Sequence, residues 1–185
     1  MEQRIRISLF IDGGYDAKVN RYYSEIHPVQ SSLSFSGLKR FALKQVATHK
    51  RVPESSCKLI EGHYFRGRYR TDDAIARGTI EGDRRLEDAL FQADITPHYL
   101  PIKKREKGID SLLGLTGYKL VRDGGVDVIV LMAGDGDHVT MAHEVTNAGG
   151  EILLLGWSFK YTDSSGKFIT HARRPAYAGP SRGRW

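Results

Sequence analysis

The sequence predicts an α/β domain built on a mainly parallel, five-stranded sheet flanked by helices. Short apolar segments alternate with segments of helical period, the order that produces parallel strands joined by crossover helices. Two of the apolar segments, residues 126–132 and 152–155, are near-continuous, as expected of strands covered on both faces. No repeat and no long linker interrupts the 185 residues, a length that suits one domain with a proper core.

The first strand is residues 5–11, where Ile5, Ile7, Leu9 and Ile11 alternate with Arg6, Ser8 and Phe10 until Asp12-Gly13-Gly14 breaks the run. Leu38, Phe41, Ala42 and Val46 then recur at helical spacing over residues 36–48, with Ser36 as the expected N-cap. Residues 58–65 read as the second strand and 66–73 as a polar loop. A helix over 80–93 carries Leu86, Leu90 and Ala93, and a short strand over 96–100 is closed by Pro101. The next helix, 109–121, aligns Ile109, Leu112, Leu113, Thr116 and Leu120 on one face. A last helix, 137–148, lies between the two continuous strands and stops at Gly149-Gly150. These elements make a domain over residues 1–157. Residues 158–185 form a basic carboxyl-terminal extension: a hairpin over 159–170 around Asp163-Ser164-Ser165-Gly166, then a flexible tail with Pro175, Gly179, Pro180 and Gly183.

Composition narrows the setting. Lys and Arg number 28 against 22 Asp and Glu, a net charge of +6, which biases the chain toward polyanionic partners, nucleic acid first. Cys57 is the one cysteine, so no internal disulfide forms, which suits a reducing cytoplasm. Neither a signal peptide nor an apolar run of membrane-spanning length is visible, so the expected location is cytoplasmic with no membrane partner.

Chemistry concentrates at the carboxyl ends of the predicted strands, where open α/β sheets bind ligands. Asp12 follows the first strand, Asp110 opens the helix after the third, and Asp135 and Asp137 follow the fourth. Clustered carboxylates repel one another unless compensated, and a hard divalent cation, Mg²⁺ or Mn²⁺, supplies that compensation through oxygen ligands. No Cys/His spacing supports zinc: His138 and His143 are five residues apart, off a shared helical face. Gly13, Gly14, Gly134 and Gly136 beside the acids allow close approach of backbone and substrate. Asp110 and Asp137 also suit helix starts as capping residues, the competing structural reading for each alone.

The segments Phe10-Ile11-Asp12-Gly13, Glu106-Lys107-Gly108-Ile109-Asp110 and Ala133-Gly134-Asp135-Gly136-Asp137 resemble the three acidic motifs of the NYN domain family, the LabA-like branch of the PIN-like nucleases. The resemblance covers about residues 5–157 and departs at two positions. The family often has Asn three residues after the first Asp, here Tyr15, and Ser before the Gly-Asp-x-Asp, here Ala133. It implies a Rossmann-like PIN fold and a Mg²⁺- or Mn²⁺-dependent ribonuclease with Asp12, Asp110, Asp135 and Asp137 at the metal. In such a site Asp12 and Asp135 are the expected central ligands, with Asp110 and Asp137 holding a second ion or orienting waters. Lys107 would contact a phosphate. Arg66, Arg68 and Arg70 interleave with Tyr64, Phe65 and Tyr69, and with Lys103, Lys104, Arg105, Arg173 and Arg174 they form the expected track for single-stranded RNA.

Two other readings use the same residues. One is a catalytically weak RNA-binding or regulatory module on the same fold, suggested by Tyr15 and Ala133. The other is a phosphatase of the haloacid-dehalogenase type, whose last acidic motif Gly134-Asp135-Gly136-Asp137 resembles. That family's first motif needs an acid where this chain has Gly14. Dinucleotide binding is disfavoured because no Gly-x-Gly-x-x-Gly follows the first strand.

Overall fold

Strand β1 (Ile5–Asp12) is the spine of the sheet. It pairs in parallel with β2 (Cys57–Arg68) on one side and β4 (Val128–Met132) on the other. β2 pairs with β3 (Thr96–Pro101), and β4 with β5 (Glu151–Leu155), both parallel. The order β3-β2-β1-β4-β5 is Rossmann-like and reverses direction between β1 and β4. The computed structural model describes residues 4–102, 106–134, 138–157, 159–162, 168–171 and 176–178.

The helices are α1 (Gly13–Arg21), α2 (Phe35–Lys50), α3 (Thr71–Ala76), α4 (Ile80–Gln92), α5 (Ile109–Arg122) and α6 (Val139–Asn147). They cover both faces of the sheet, because side chains of a strand alternate between faces. Ile7, Leu9 and Ile11 pack with Val130, Met132 and Tyr64 beneath Val19 of α1 and Leu38, Ala42 and Val46 of α2. Phe10, on the opposite face, packs with Phe65, Ile129 and Leu131 beneath Leu113 of α5 and Met141 and Val145 of α6. Every residue of β4 is buried, as its unbroken apolar run predicts. Each of these large side chains contributes about 1.5–3 kcal/mol by burial. Among the described residues no helix is long and apolar enough to cross a membrane.

Several boundaries differ from the sequence reading, each for a physical reason. α1 begins directly at Gly13, where the sequence suggested only a break. Its buried face includes Asp16 beside Tyr15 and Val19, so polarity hid its amphipathic period, and it runs on into a π-helical turn, Tyr22–Ile26. α2 starts two residues early: Ser34, not Ser36, caps it, accepting from Gly37 N at 3.1 Å, because Phe35 enters the core against Tyr64. β2 extends through Arg68, so Arg66 and Arg68 belong to a strand rather than a loop, and α3 takes up Thr71–Ala76. The extension forms the expected hairpin, β6 (Phe159–Thr162) antiparallel to β7 (Phe168–His171). Residues 163–166, its expected turn, lie outside the described residues except as flanked by those strands. β8 (Ala176–Ala178) then pairs antiparallel with β5 and makes the main sheet six-stranded. That part of the expected tail is therefore sheet edge, held to the domain by backbone hydrogen bonds that side-chain pattern does not advertise.

Candidate metal centre at the strand ends

Asp12 ends β1 and caps α1. Its Oδ1 accepts from Gly14 N at 2.8 Å and from Tyr15 N at 3.3 Å, so the helix start orients the carboxylate. The other oxygen, Oδ2, faces Nε2 of His138 at 3.8 Å. Asp110 arrives from the opposite side, at the second position of α5. Gly108 precedes that helix with φ of +80°, a left-handed conformation that favours glycine. Asp110 Oδ1 lies 3.9 Å from the same His138 nitrogen. The two carboxylates thus converge on one buried imidazole, with Asp12 recessed at 19% side-chain exposure and Asp110 at the mouth at 59%. This is the switch point between β1 and β4, where the fold opens a crevice. Asp135 and Asp137 lie outside the described residues.

The cleft holds about 200 Å³ and is walled by Lys18 and Lys107, Glu106, Tyr15 and Gly134. Lys107 therefore stands where the sequence predicted, beside Asp110. Lys18 was not anticipated; it projects from the unrecognised α1. Glu106 accepts a hydrogen bond from Gly67 N, which ties the segment before α5 to the end of β2. Tyr15 forms a wall of the cleft. Its ring is buried, its hydroxyl accepts from Trp157 N at 2.8 Å, and a Cβ on Gly134 would fall 2.2 Å from it. Gly134 thus lets the backbone pass close against the Tyr15 ring. Ala133 is fully buried within the α5–α6 side of the core.

Behind Asp12, one turn along α1, Asp16 is 3% exposed. Tyr64 Oη donates to its Oδ2 at 3.0 Å and Asn20 Nδ2 to its Oδ1 at 2.7 Å. Burial pushes this carboxyl up to about 6, against the pull of the Tyr64 hydrogen bond and the Arg66 charge. The preceding residue of β2, His63, points to the other face. Its Nδ1 lies 2.9 Å from His98 Nε2, and burial, helped by His98, lowers it to about 4.

The donor set suits a hard divalent cation. Mg²⁺ keeps several waters and is commonly held by one or two carboxylates together with substrate phosphate, and Asp12 Oδ2 and Asp110 Oδ1 share one small polar cleft. Among the described residues no group of three or more His, Cys, Asp and Glu is placed to hold a metal ion.

The expected RNA track is placed in part. Arg66 lies 3.5 Å from Asp83, and Arg68 pairs with Glu87 while its guanidinium sits 5.1 Å from the Tyr99 ring centroid. Both cations are thus occupied by the acidic stripe of α4. Arg70 is exposed just before α3. Lys103, Lys104, Arg105, Arg173 and Arg174 lie outside the described residues.

No family model and no curated protein matches the chain. A solved structure of a protein of unknown function from Vibrio parahaemolyticus is similar in fold, with a TM-score of 0.52 at 16% identity over 83% of this chain and 82% of that one. The likeness shows the α/β architecture alone.

Proposed function

We propose that the protein is a Mg²⁺- or Mn²⁺-dependent ribonuclease of the PIN-like, NYN type, acting on single-stranded RNA in the cytoplasm. The observation that carries this reading is the convergence of Asp12 and Asp110 on one cleft at the sheet's switch point, flanked by Lys18 and Lys107. The motif resemblance and the positive net charge support it. When bound, a divalent ion supplies acidification of water and screening of the scissile phosphate's charge. The protein's own residues do the rest. Asp12 presents Oδ2 while its Oδ1 is held by two backbone N–H groups. Asp110 presents its carboxylate from the opposite wall, and His138 Nε2 faces both at 3.8 and 3.9 Å. Lys18 and Lys107 bring the phosphodiester to the cleft. Asp135 and Asp137 complete the acid set by sequence position.

A second reading, an RNA-binding module with weak or no cleavage, draws on Tyr15, whose ring occupies the wall beside Gly134. Labelled single-stranded RNA incubated with Mg²⁺, Mn²⁺ or EDTA separates the two. Cleavage is expected with either ion and none in EDTA. Cleavage surviving EDTA defeats the metal mechanism, and tight binding without cleavage favours the module.

A further inference from the structure

Across the Tyr15 ring from the acidic cleft lies a second pocket, of about 370 Å³. Its walls are Ser34, Gly37, Leu38 and Phe41 of the α2 amino-terminal half, and Leu155 and Trp157 at the carboxyl end of β5. The lining is almost wholly apolar and contains no acid. Phe41 is 45% exposed, unusual for a large apolar side chain on the face of a helix that packs on a sheet. Tyr15 links the two cavities: it lines the acidic cleft, its hydroxyl accepts from the backbone N of Trp157 in the apolar pocket's wall, and its ring stands 6.3 Å from the Trp157 ring.

Charge is arranged around this pocket. No Asp or Glu occurs from residue 26 to residue 53, while Lys39, Arg40, Lys44, Lys50 and Arg51 do. Lys39 is spent on the Ala93 carbonyl and Lys50 on Glu151. Arg40 and Lys44, one residue before and three after Phe41, are exposed and form no ion pair among the described residues. Aromatic faces beside unpaired cations are what a single strand needs, because bases stack while phosphates are neutralised.

We propose that this pocket receives one unstacked base of the strand whose phosphate lies in the acidic cleft. Trp157 and Phe41 contact the base, and Arg40 and Lys44 take the phosphates that flank it. The assignment rests on the ribonuclease reading for its choice of ligand. An apolar peptide would use the same walls but has no need of the two cations.

The test uses the full chain with Trp185→Phe, which leaves Trp157 as the sole tryptophan. The probes are a short oligouridylate and an abasic strand with the same number of phosphates, both in EDTA so that nothing is cut. Oligouridylate is expected to quench Trp157 emission and the abasic strand to leave it unchanged. Phe41→Ala, on the otherwise native chain, should weaken oligouridylate binding roughly tenfold without altering abasic binding. Arg40→Gln and Lys44→Gln should each flatten the salt dependence of both by about 0.7 in log–log slope. An unquenched Trp157, or equal loss on both strands in Phe41→Ala, overturns the assignment. Emission that is blue-shifted and unmoved by either strand does too, since another occupant then fills the pocket. Cleavage in Mn²⁺ is scored separately. Intact cleavage with no quench defeats the pocket and spares the nuclease, whereas base-dependent quench in a protein that cuts nothing does the reverse.

Discussion

Asp12 and Asp16 stand one helical turn apart, yet the fold gives them opposite surroundings. Asp12 keeps one oxygen on backbone N–H groups and turns the other into a polar cleft. Asp16 is sealed into the core, and its two oxygens are taken by Tyr64 and Asn20. The first leaves one oxygen open to the cleft. The second is arranged so that charge is disfavoured, its carboxyl pushed up to about 6. Identity and spacing alone do not separate a ligand from a buried structural acid; the difference lies in which oxygens remain open and to what.

The largest expected effect breaks the comparison at Asp12. Asp12→Asn should lower cleavage by more than the roughly 10–100-fold that loss of a supporting residue costs. It should leave RNA binding in EDTA intact or stronger, since a charge that repels phosphate is gone. Asparagine caps helices as well as aspartate does, so thermal stability should hardly move. Asp12→Ala removes the cap too and should cost a further ~1 kcal/mol. Paired cleavage and unfolding measurements check this. Full activity in Asp12→Asn misplaces the site, and Asp16→Asn losing cleavage as completely as Asp12→Asn would erase the distinction between the two acids.

The buried groups are read through pH. In the folded protein Asp16 keeps its proton up to about 6, against an ordinary value of 3.8. The native state then binds more protons than the unfolded one across that window, so this group's contribution to stability is lost as pH rises through it, by about 3 kcal/mol. His63 works in the other direction. Held neutral down to about 4 against an ordinary 6.5, it favours proton uptake by the unfolded chain, so stability falls by about 3 kcal/mol as pH drops from 6.5 to 4. The two slopes oppose each other between pH 4 and 6 and largely cancel. Denaturant titrations should therefore show Asp16→Asn falling steeply on acidification and His63→Gln falling as pH rises across the same range. Parallel curves for wild type and both variants would show that neither group titrates as its burial demands.

What could be read from the sequence follows the same division. Residues whose placement depends on the strand ends were legible: Asp12, Asp110 and Lys107 are brought to one cleft, and the continuous apolar runs proved to be strands, β4 wholly and β5 mostly buried. Residues whose role depends on what packs against them were not. α1 went unseen because Asp16 interrupts its apolar face, and Lys18 went with it. Glu106 lay within a recognised motif, but its bond to Gly67 N depends on where β2 ends. His138 reads in the sequence only against zinc spacing, although its place directly after the Asp135–Asp137 segment is a signal that it sits at the rim. β8 has three residues and two alanines, and only backbone pairing with β5 defines it.

The smallest effect sharpens the contrast between charges that are free and charges that are spent. Arg66 and Arg68 look like an RNA track in the sequence, but Asp83 and Glu87 of α4 already hold them, and Asp83 is only 13% exposed. Lys18 and Lys107 line the cleft and form no ion pair among the described residues. A cation that contacts phosphate steepens the salt dependence of single-strand binding by about 0.7 in log–log slope, because counterions are released from the strand. A cation already neutralised by a carboxylate releases few. Lys18→Gln and Lys107→Gln should therefore each flatten the slope by about 0.7 and leave unfolding unchanged. Arg66→Gln and Arg68→Gln should leave the slope nearly unchanged and instead lower stability by up to about 1 kcal/mol each, the usual worth of a partly exposed pair. Affinity measured across a salt series in EDTA, beside thermal unfolding of the same four variants, decides between the two assignments. A flattened slope in the arginine variants would return the RNA path to the β2–β3 edge and mean that the strand competes successfully with α4 for those guanidinium groups.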